Sequence, residues 1–400
     1  MDASTFRRMW DELLPVGRTE NGYVRHSWTD ADQSCRNWFR GQAEARDMAV
    51  ETDRNGNLYA WWGPRRSRGA ILTGSHFDSV PHGGAYDGPL GIVSAFLAVD
   101  ALRERDATLQ RPIGIAAFTE EEGGRFGVPC LGTRLMTGAL DPDRARKLTD
   151  ASGITLAEAM EAAGVDPGGL GPDPERLERL GAFVELHIEQ GRALEADGDA
   201  VGVASAIWPH GRWRLTFTGE GNHAGTTLFA DRRDPMLTFA FAVLAARKEA
   251  RLAGGLATVG RVEVDPGATN AIAKRVDAWL DARAPDEATL NEIVSGLESK
   301  VGERAARDGT GFTSRAGSES PLVGFDEDLR DRVAALLGGA PVLPTGAGHD
   351  AGVLAAHVPT AMLFVRNETG VSHAPAETAD DADCAAGVDA LAAVLGDLAC

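Results

Sequence analysis

Cysteine is scarce in this 400-residue chain: Cys35, Cys130, Cys384 and Cys400 are far apart and form no C-x-x-C pair. That excludes a disulfide-built scaffold and fits a reducing compartment. No run of about 18 apolar residues occurs, so no membrane-spanning helix is expected. The opening MDASTFRRMW lacks the apolar core of a secretory signal, and the expected location is the cytoplasm. Positive charge is in deficit: 40 Lys and Arg stand against 59 Asp and Glu, a formal net charge of −19. Such a field repels nucleic acid and anionic lipid, so neither is expected as a partner. Also missing are G-x-G-x-x-G, a Walker A Gly-Lys, the G-x-S-x-G elbow and H-E-x-x-H. Dinucleotide, P-loop, serine-hydrolase and zincin chemistry therefore have no sequence support.

What remains is an ordinary globular composition, with 43% hydrophobic and 25% charged residues. At about 150 residues per domain, two or three domains are expected. Short apolar runs at 70–73 (AILT), 113–118 (IGIAAF), 183–188 (FVELHI) and 360–365 (TAMLFV) read as buried strands. Helical spacing at 89–103 and 384–395 alternates with them. This predicts an α/β domain with a mostly parallel sheet. The middle of the chain reads differently. Strands at 212–218, 257–264, 275–283 and 311–315, with helices at 235–253 and 287–304, give the order β-α-β-β-α-β of a ferredoxin-like module. The expected division is 1–208 with 321–400 as one domain and 209–320 as an insertion.

Chemistry-bearing residues gather at the carboxyl ends of the first set of strands. His76 and Asp78 follow the strand at 70–73, and Asp87 lies in GGAYDG. Glu120, Glu121 and Glu122 follow the strand at 113–118, His187 ends 183–188, and His373 lies beyond 360–365. That edge is where open α/β sheets build sites. A single histidine there is usually structural, and a triple glutamate is usually a solvated turn. Together they form the ligand set of zinc and similar divalent ions, and a cation relieves the repulsion of adjacent carboxylates.

These stretches resemble the M20-type metallohydrolases. The closer resemblance is to the amidohydrolase branch acting on allantoate, N-carbamoyl-L-amino acids and β-ureidopropionate. The resemblance is carried by GSHFDSVPHGGAYDGPLG (74–91), FTEEEGGRFGVPCLGTR (118–134), ELHIEQG (185–191), NHAGTT (222–227), ATVGRVEVDPGATNAI (257–272), LDAR (280–283), GAGHDA (346–351) and GVSHAPAE (370–377). It implies an α/β metallohydrolase domain with an inserted ferredoxin-like lid that also dimerises. It implies two divalent cations, zinc first with manganese, cobalt or nickel as alternatives, bridged by Asp87. His76 and His187 would complete one site, and Glu122 and His373 the other. Asp78 would orient His76 through its second ring nitrogen, and Glu121 would be the general base. Glu120 is left as an exposed acid. His223 would polarise the scissile carbonyl, Gln190 would contact the amide or ureido group, and Asn270 and Arg283 would share the substrate carboxylate. His349 is given a supporting role only.

A histidine at position 187, where peptidase relatives usually carry an acid, resembles the amidase branch. The implied reaction is hydrolysis of a linear amide or ureide C–N bond in a small N-substituted amino acid, by a homodimer. An N-formyl or other N-acyl amino acid, such as N-formylglutamate, is the alternative substrate, and an M20-type peptidase the second alternative. Leu228-Phe229, Ile272-Ala273-Lys274 and Trp208–Trp213 depart from the usual pattern and bear on substrate choice.

Overall fold

The computed structural model describes residues 1–400. Contacts divide it into two compact units, 1–206 with 324–400, and 207–323. The first unit opens with helices α1 (Ala3–Leu13) and α2 (Asp30–Glu44). Strands β1 (Ala49–Thr52), β2 (Leu58–Trp62) and β3 (Ala70–His76) follow, then α3 (Pro89–Glu104), β4 (Ile113–Phe118), α4 (Leu131–Thr137), β5 (Leu180–Ile188) and β6 (Val201–Ile207). The second unit contains β7 (His210–Thr218), α5 (Pro235–Ala253), β8 (Leu256–Asp265), β9 (Arg275–Arg283), α6 (Glu287–Asp308) and β10 (Gly311–Ser320). The chain then returns to the first unit for α7 (Asp350–Leu354), β11 (Thr360–Val365) and α8 (Asp381–Ala399).

The first unit holds a nine-stranded sheet. From the Val323–Gly324 strand the order runs β6-β11-β5-β3-β4-β2-β1, with Val342–Thr345 also paired to β6. The central pairs β11–β5, β5–β3 and β3–β4 are parallel, whereas β6 is antiparallel to β11, β2 to β4 and β1 to β2. The sequence explains this division. β3, β4 and β11 are buried at every residue, because β-branched and small side chains fill both faces. A strand without a polar face belongs in the middle of a covered parallel sheet. Helix α3 is likewise apolar nearly all round and packs on β3, β5 and α8.

The second unit is a four-stranded antiparallel sheet in the order β8-β9-β7-β10, backed by α5 and α6. Alternation in β7 sends Trp213, Leu215 and Phe217 into the core, with Val276, Ala278, Leu280 and Ala282 beside them from β9. β10 runs to Ser320, beyond the 311–315 read from sequence. Its Ser, Arg and Glu residues carry no apolar alternation because it is a largely exposed edge strand. The short helices between 131 and 177 also had no clear periodic signal.

Gly91 in α3 marks a close approach. A Cβ there would lie 2.3 Å from the Leu186 carbonyl oxygen of β5 and 2.8 Å from the Ser75 Cβ of β3. Gly91→Ala should therefore destabilise by about 1–3 kcal/mol, the usual overpacking cost, although alanine gains roughly 1 kcal/mol in helix propensity. The urea midpoint should fall; a rise would show that α3 shifts without strain.

Candidate metal centre

β3, β4, β5 and β11 end at one edge, and their exits deliver the side chains. His76 is the last residue of β3, His187 lies one from the end of β5, and Phe118 of β4 leads into Glu120–Glu122. Asp87 sits just before α3, where the positive helix end favours a carboxylate. Gly88 makes that turn possible: its φ is +85°, and a Cβ would lie 2.5 Å from the His76 ring.

The Asp87 carboxylate faces two groups. Its Oδ1 lies 3.1 Å from His187 Nε2 and 3.5 Å from His76 Nε2. Its Oδ2 lies 3.3 Å from His373 Nε2, which is 3.4 Å from Glu122 Oε2. Thus His76, Asp87 and His187 form one potential metal-holding group, and Asp87, Glu122 and His373 a second, each with ligand atoms within 4.8 Å of one another. His76 Nδ1 meets the Asp78 carbonyl at 2.9 Å, and His187 Nδ1 meets the Ile188 carbonyl at 2.8 Å. With those nitrogens donating, each Nε2 presents a lone pair inward. Both buried Nε2 atoms, and Glu122 Oε1, lack a hydrogen-bond partner. This donor set fits divalent cations.

The electrostatics agree. Burial pushes Glu121 well above the usual carboxylate range, and Asp350, Glu122 and Asp78 add to the rise. Burial and Asp87 push Glu122 up to about 7. Burial would also raise Asp87, but His187, His373 and His76 hold it well below its ordinary value. The bond to Asp87 leads the rise of His373 to about 9. Protons offset the excess negative charge here, and divalent cations would displace them.

Asp78 acts differently from the sequence expectation. Its carbonyl, not its carboxylate, orients His76; the nearer carboxylate oxygen is 3.7 Å away. The carboxylate accepts the backbone N–H groups of Glu121 at 3.0 Å and Glu122 at 2.9 Å. It therefore fixes the turn carrying the expected base and ligand. Glu120, expected to be exposed, is 0% exposed. It adopts φ +56°, turns away from the cluster and caps the Arg125 and Phe126 amides. Gln190 donates to Asp87 Oδ2 at 2.6 Å and to Ser372 Oγ at 3.0 Å.

Sequence reasoning passed over several supports. Glu377 accepts the Tyr86 and Asp87 amides at 2.8 and 2.9 Å, fixing the shared ligand's backbone. Glu185 accepts Ser75 Oγ and the Ala351 amide, so its grouping with His187 and His349 supports the His187 side of the centre. His349 is buried, its ring centroid is 4.5 Å from that of His187, and neither of its nitrogens has a partner. Burial and the His187 charge hold it neutral. Glu377 and Glu185 lie inside quoted motifs, but no spacing rule singled them out; His349 was expected in a supporting role.

In the second unit, Asn270 and His223 come together. Asn222–His223 pairs with Ala271–Ile272, and Ala224 N donates to the Asn270 carbonyl. Arg283 is elsewhere. It ends β9, opposite His210, where the chain enters the unit, and it pairs with Asp281 at 2.8 Å. Asn270 precedes the start of β9, whose nine residues span roughly 26 Å at the usual strand rise. One chain therefore does not place Asn270 and Arg283 on the same small carboxylate. The expected sharing of a carboxylate by these two residues then draws them from two copies of the chain.

An open α/β sheet with this histidine–carboxylate cluster at its carboxyl edge has the architecture of a divalent-metal hydrolase. Residues 72–397 match the model of Peptidase family M20/M25/M40, and the chain belongs to that family. It is 36% identical to N-carbamoyl-L-amino acid amidohydrolase of Geobacillus stearothermophilus over 96% of each chain. It is 33% identical to allantoate amidohydrolase of Escherichia coli over 98% of each. A solved hydantoinase/carbamoylase-family amidase of Burkholderia multivorans superposes with a TM-score of 0.89 at 30% identity, covering 100% of this chain and 98% of that one. Aminopeptidase PepT of Bacillus cereus, at 18% identity and a TM-score of 0.62, shares the fold.

Asp78→Asn should weaken metal retention by roughly 10–100-fold, as loss of an outer partner usually does. The amide offers one acceptor oxygen to two backbone N–H groups and turns its own N–H₂ toward one of them. Competition against a chelating dye measures this, and wild-type retention would show that the carboxylate does not support the centre.

Proposed function

We propose that the chain hydrolyses the ureido or amide C–N bond of a small N-substituted amino acid. In this reading two divalent cations are held by His76, Asp87 and His187 and by Asp87, Glu122 and His373. The observation that supports it most is the division of one buried carboxylate between two histidine groups. Relatives named for N-carbamoyl-L-amino acids and allantoate, each at least 33% identical over nearly the whole chain, favour a ureido substrate over a peptide.

Bound cations would supply Lewis acidity and lower the pKa of an attacking water. The chain's residues do the rest. Glu121, buried beside the cluster with Oε2 3.7 Å from His76 Nε2, takes the proton from water and passes it to the departing nitrogen. Asp78 holds Glu121 and Glu122 in register. Gln190 stands on Asp87 and Ser372, ready to meet the ureido or amide group. Arg283 grips the substrate carboxylate with its planar fork, and His223 and Asn270 contact the scissile group and the carboxylate side.

The separation of Arg283 from the His223–Asn270 pair supports a homodimer in which a second copy supplies the pair. Strand β8 is an exposed sheet edge carrying Leu256, Val262 and Val264. The neighbouring α5 exposes Leu237, Leu244 and Leu252. Leu228 and Phe229, just beyond His223, are 70% and 86% exposed. An apolar edge of this kind favours two-fold pairing.

The direct test is a panel of allantoate, N-carbamoyl, N-formyl and dipeptide substrates, assayed for ammonia, formate and amine release. Ureido acids should turn over, a chelator should abolish the rate, and a divalent ion should restore it. Glu121→Gln should keep its metal and lose about 10²–10⁴-fold in rate, whereas Glu122→Gln should lose metal. Turnover of dipeptides alone, or full activity without metal, would refute the reading.

A mixing experiment tests the dimer. Glu121→Gln combined with His223→Ala, under conditions that exchange subunits, should restore about a quarter of sites at random pairing. Asn270→Ala should behave like His223→Ala. Arg283→Ala mixed with Glu121→Gln sorts the guanidinium: recovery would group it with His223, and no recovery with the base. Confirmed exchange without recovery would place His223 in its own chain's site.

A further inference from the structure

We propose that Cys130 is a positioning residue for the Glu121 carboxyl, an inference that rests on the reading of Glu121 as general base. Cys130 immediately precedes α4, is 3% exposed and adopts φ +53°. A non-glycine residue persists in that left-handed region only where its surroundings hold it. Here they hold it on both sides. Its N–H donates to the Glu121 carbonyl at 2.7 Å, while its own carbonyl accepts Arg134 N at 2.8 Å and Thr133 Oγ at 3.1 Å.

The fixed backbone directs the thiol onto the base. Cys130 Sγ lies 3.5 Å from Glu121 Oε1, the one hydrogen bond that this carboxyl makes. The thiol S–H donates and Glu121 Oε1 accepts, and burial keeps the thiol protonated. With Oε1 engaged, Oε2 is the oxygen left on the His76 side of the cluster. The last torsion of a glutamate is broad and roughly two-fold, so a carboxyl without a partner would swing. A thiol is a weak donor and can set that torsion while leaving the base strong. Asp78 holds the Glu121 backbone from one side, and Cys130 holds its backbone and carboxyl from the other.

The test compares Cys130→Ala and Cys130→Ser in metal-loaded enzyme, with the fastest substrate of the panel. Cys130→Ala should lower kcat about 10-fold or more, as small misplacements of a reacting group do, with KM and metal content unchanged. Cys130→Ser, which restores a donor, should recover most of the loss. In a Glu121→Gln background, Cys130→Ala should change the residual rate less than about 2-fold, because the group it positions is gone. Should Cys130→Ala fail to fold, Cys130→Gly, which adopts this backbone conformation without strain and carries no donor, takes its place. A wild-type kcat in the donor-free variant, equal loss in the alanine and serine variants, or equal loss in both backgrounds would overturn the assignment. A wild-type rate in Glu121→Gln alone would instead remove the base reading, whatever Cys130 does.

Discussion

The structure of the centre depends on placing one buried carboxylate between two clusters of imidazole and acid. Asp87 serves them with different oxygens, so its position must be fixed in translation and rotation. Glu377 ties its backbone, Gly88 allows the chain to turn beneath His76, and Gln190 and Ser372 reach its second oxygen. The surrounding acids carry more negative charge than a dry interior tolerates without compensation. Stability and cation binding are therefore linked in this unit: the same groups whose charges repel one another would hold the cations.

The residues at the strand ends were legible because they follow runs too apolar to be anything but central strands. Once 70–73, 113–118, 183–188 and 360–365 are aligned in one sheet, His76, Glu121, Glu122, His187 and His373 must reach the same edge. Periodicity could not reveal backbone conformation. Glu120 stands beside two residues that face the cluster, and only its left-handed φ turns it away to cap the following amides. Likewise, Asp78 lies two residues from His76, a spacing that suggests contact between side chains. The turn instead gives the imidazole a carbonyl and gives the carboxylate to Glu121 and Glu122.

Asn270 and Arg283 show another limit of sequence reading. Thirteen positions of separation look close on paper, but nine residues of extended strand carry the second far from the first. Chemistry is therefore divided within the inserted unit. One end carries the Arg283 guanidinium braced by Asp281, and the other carries an imidazole and an amide on a short two-stranded ladder. Changes in the loop at Leu228 and Phe229 can alter the second set without disturbing the first. Under the proposed function, this gives substrate preference a place to vary while the histidine–carboxylate cluster stays fixed.

The position of the insertion also bears on how the protein is made. β5 pairs in parallel with β11, so residues near 183 must meet residues near 360, and the whole second unit is synthesised between them. That unit has its own core and four sequence-near strands, and it can fold on the ribosome while the first sheet still lacks an inner strand. Until β11 arrives, β5 has an apolar, unpaired edge. His373 emerges only after β11, so the second potential metal-holding group is completed near the end of synthesis. A chain halted before that point keeps His76, Asp87 and His187 but has an open sheet, and it would be a substrate for chaperones or proteases before it could be an enzyme.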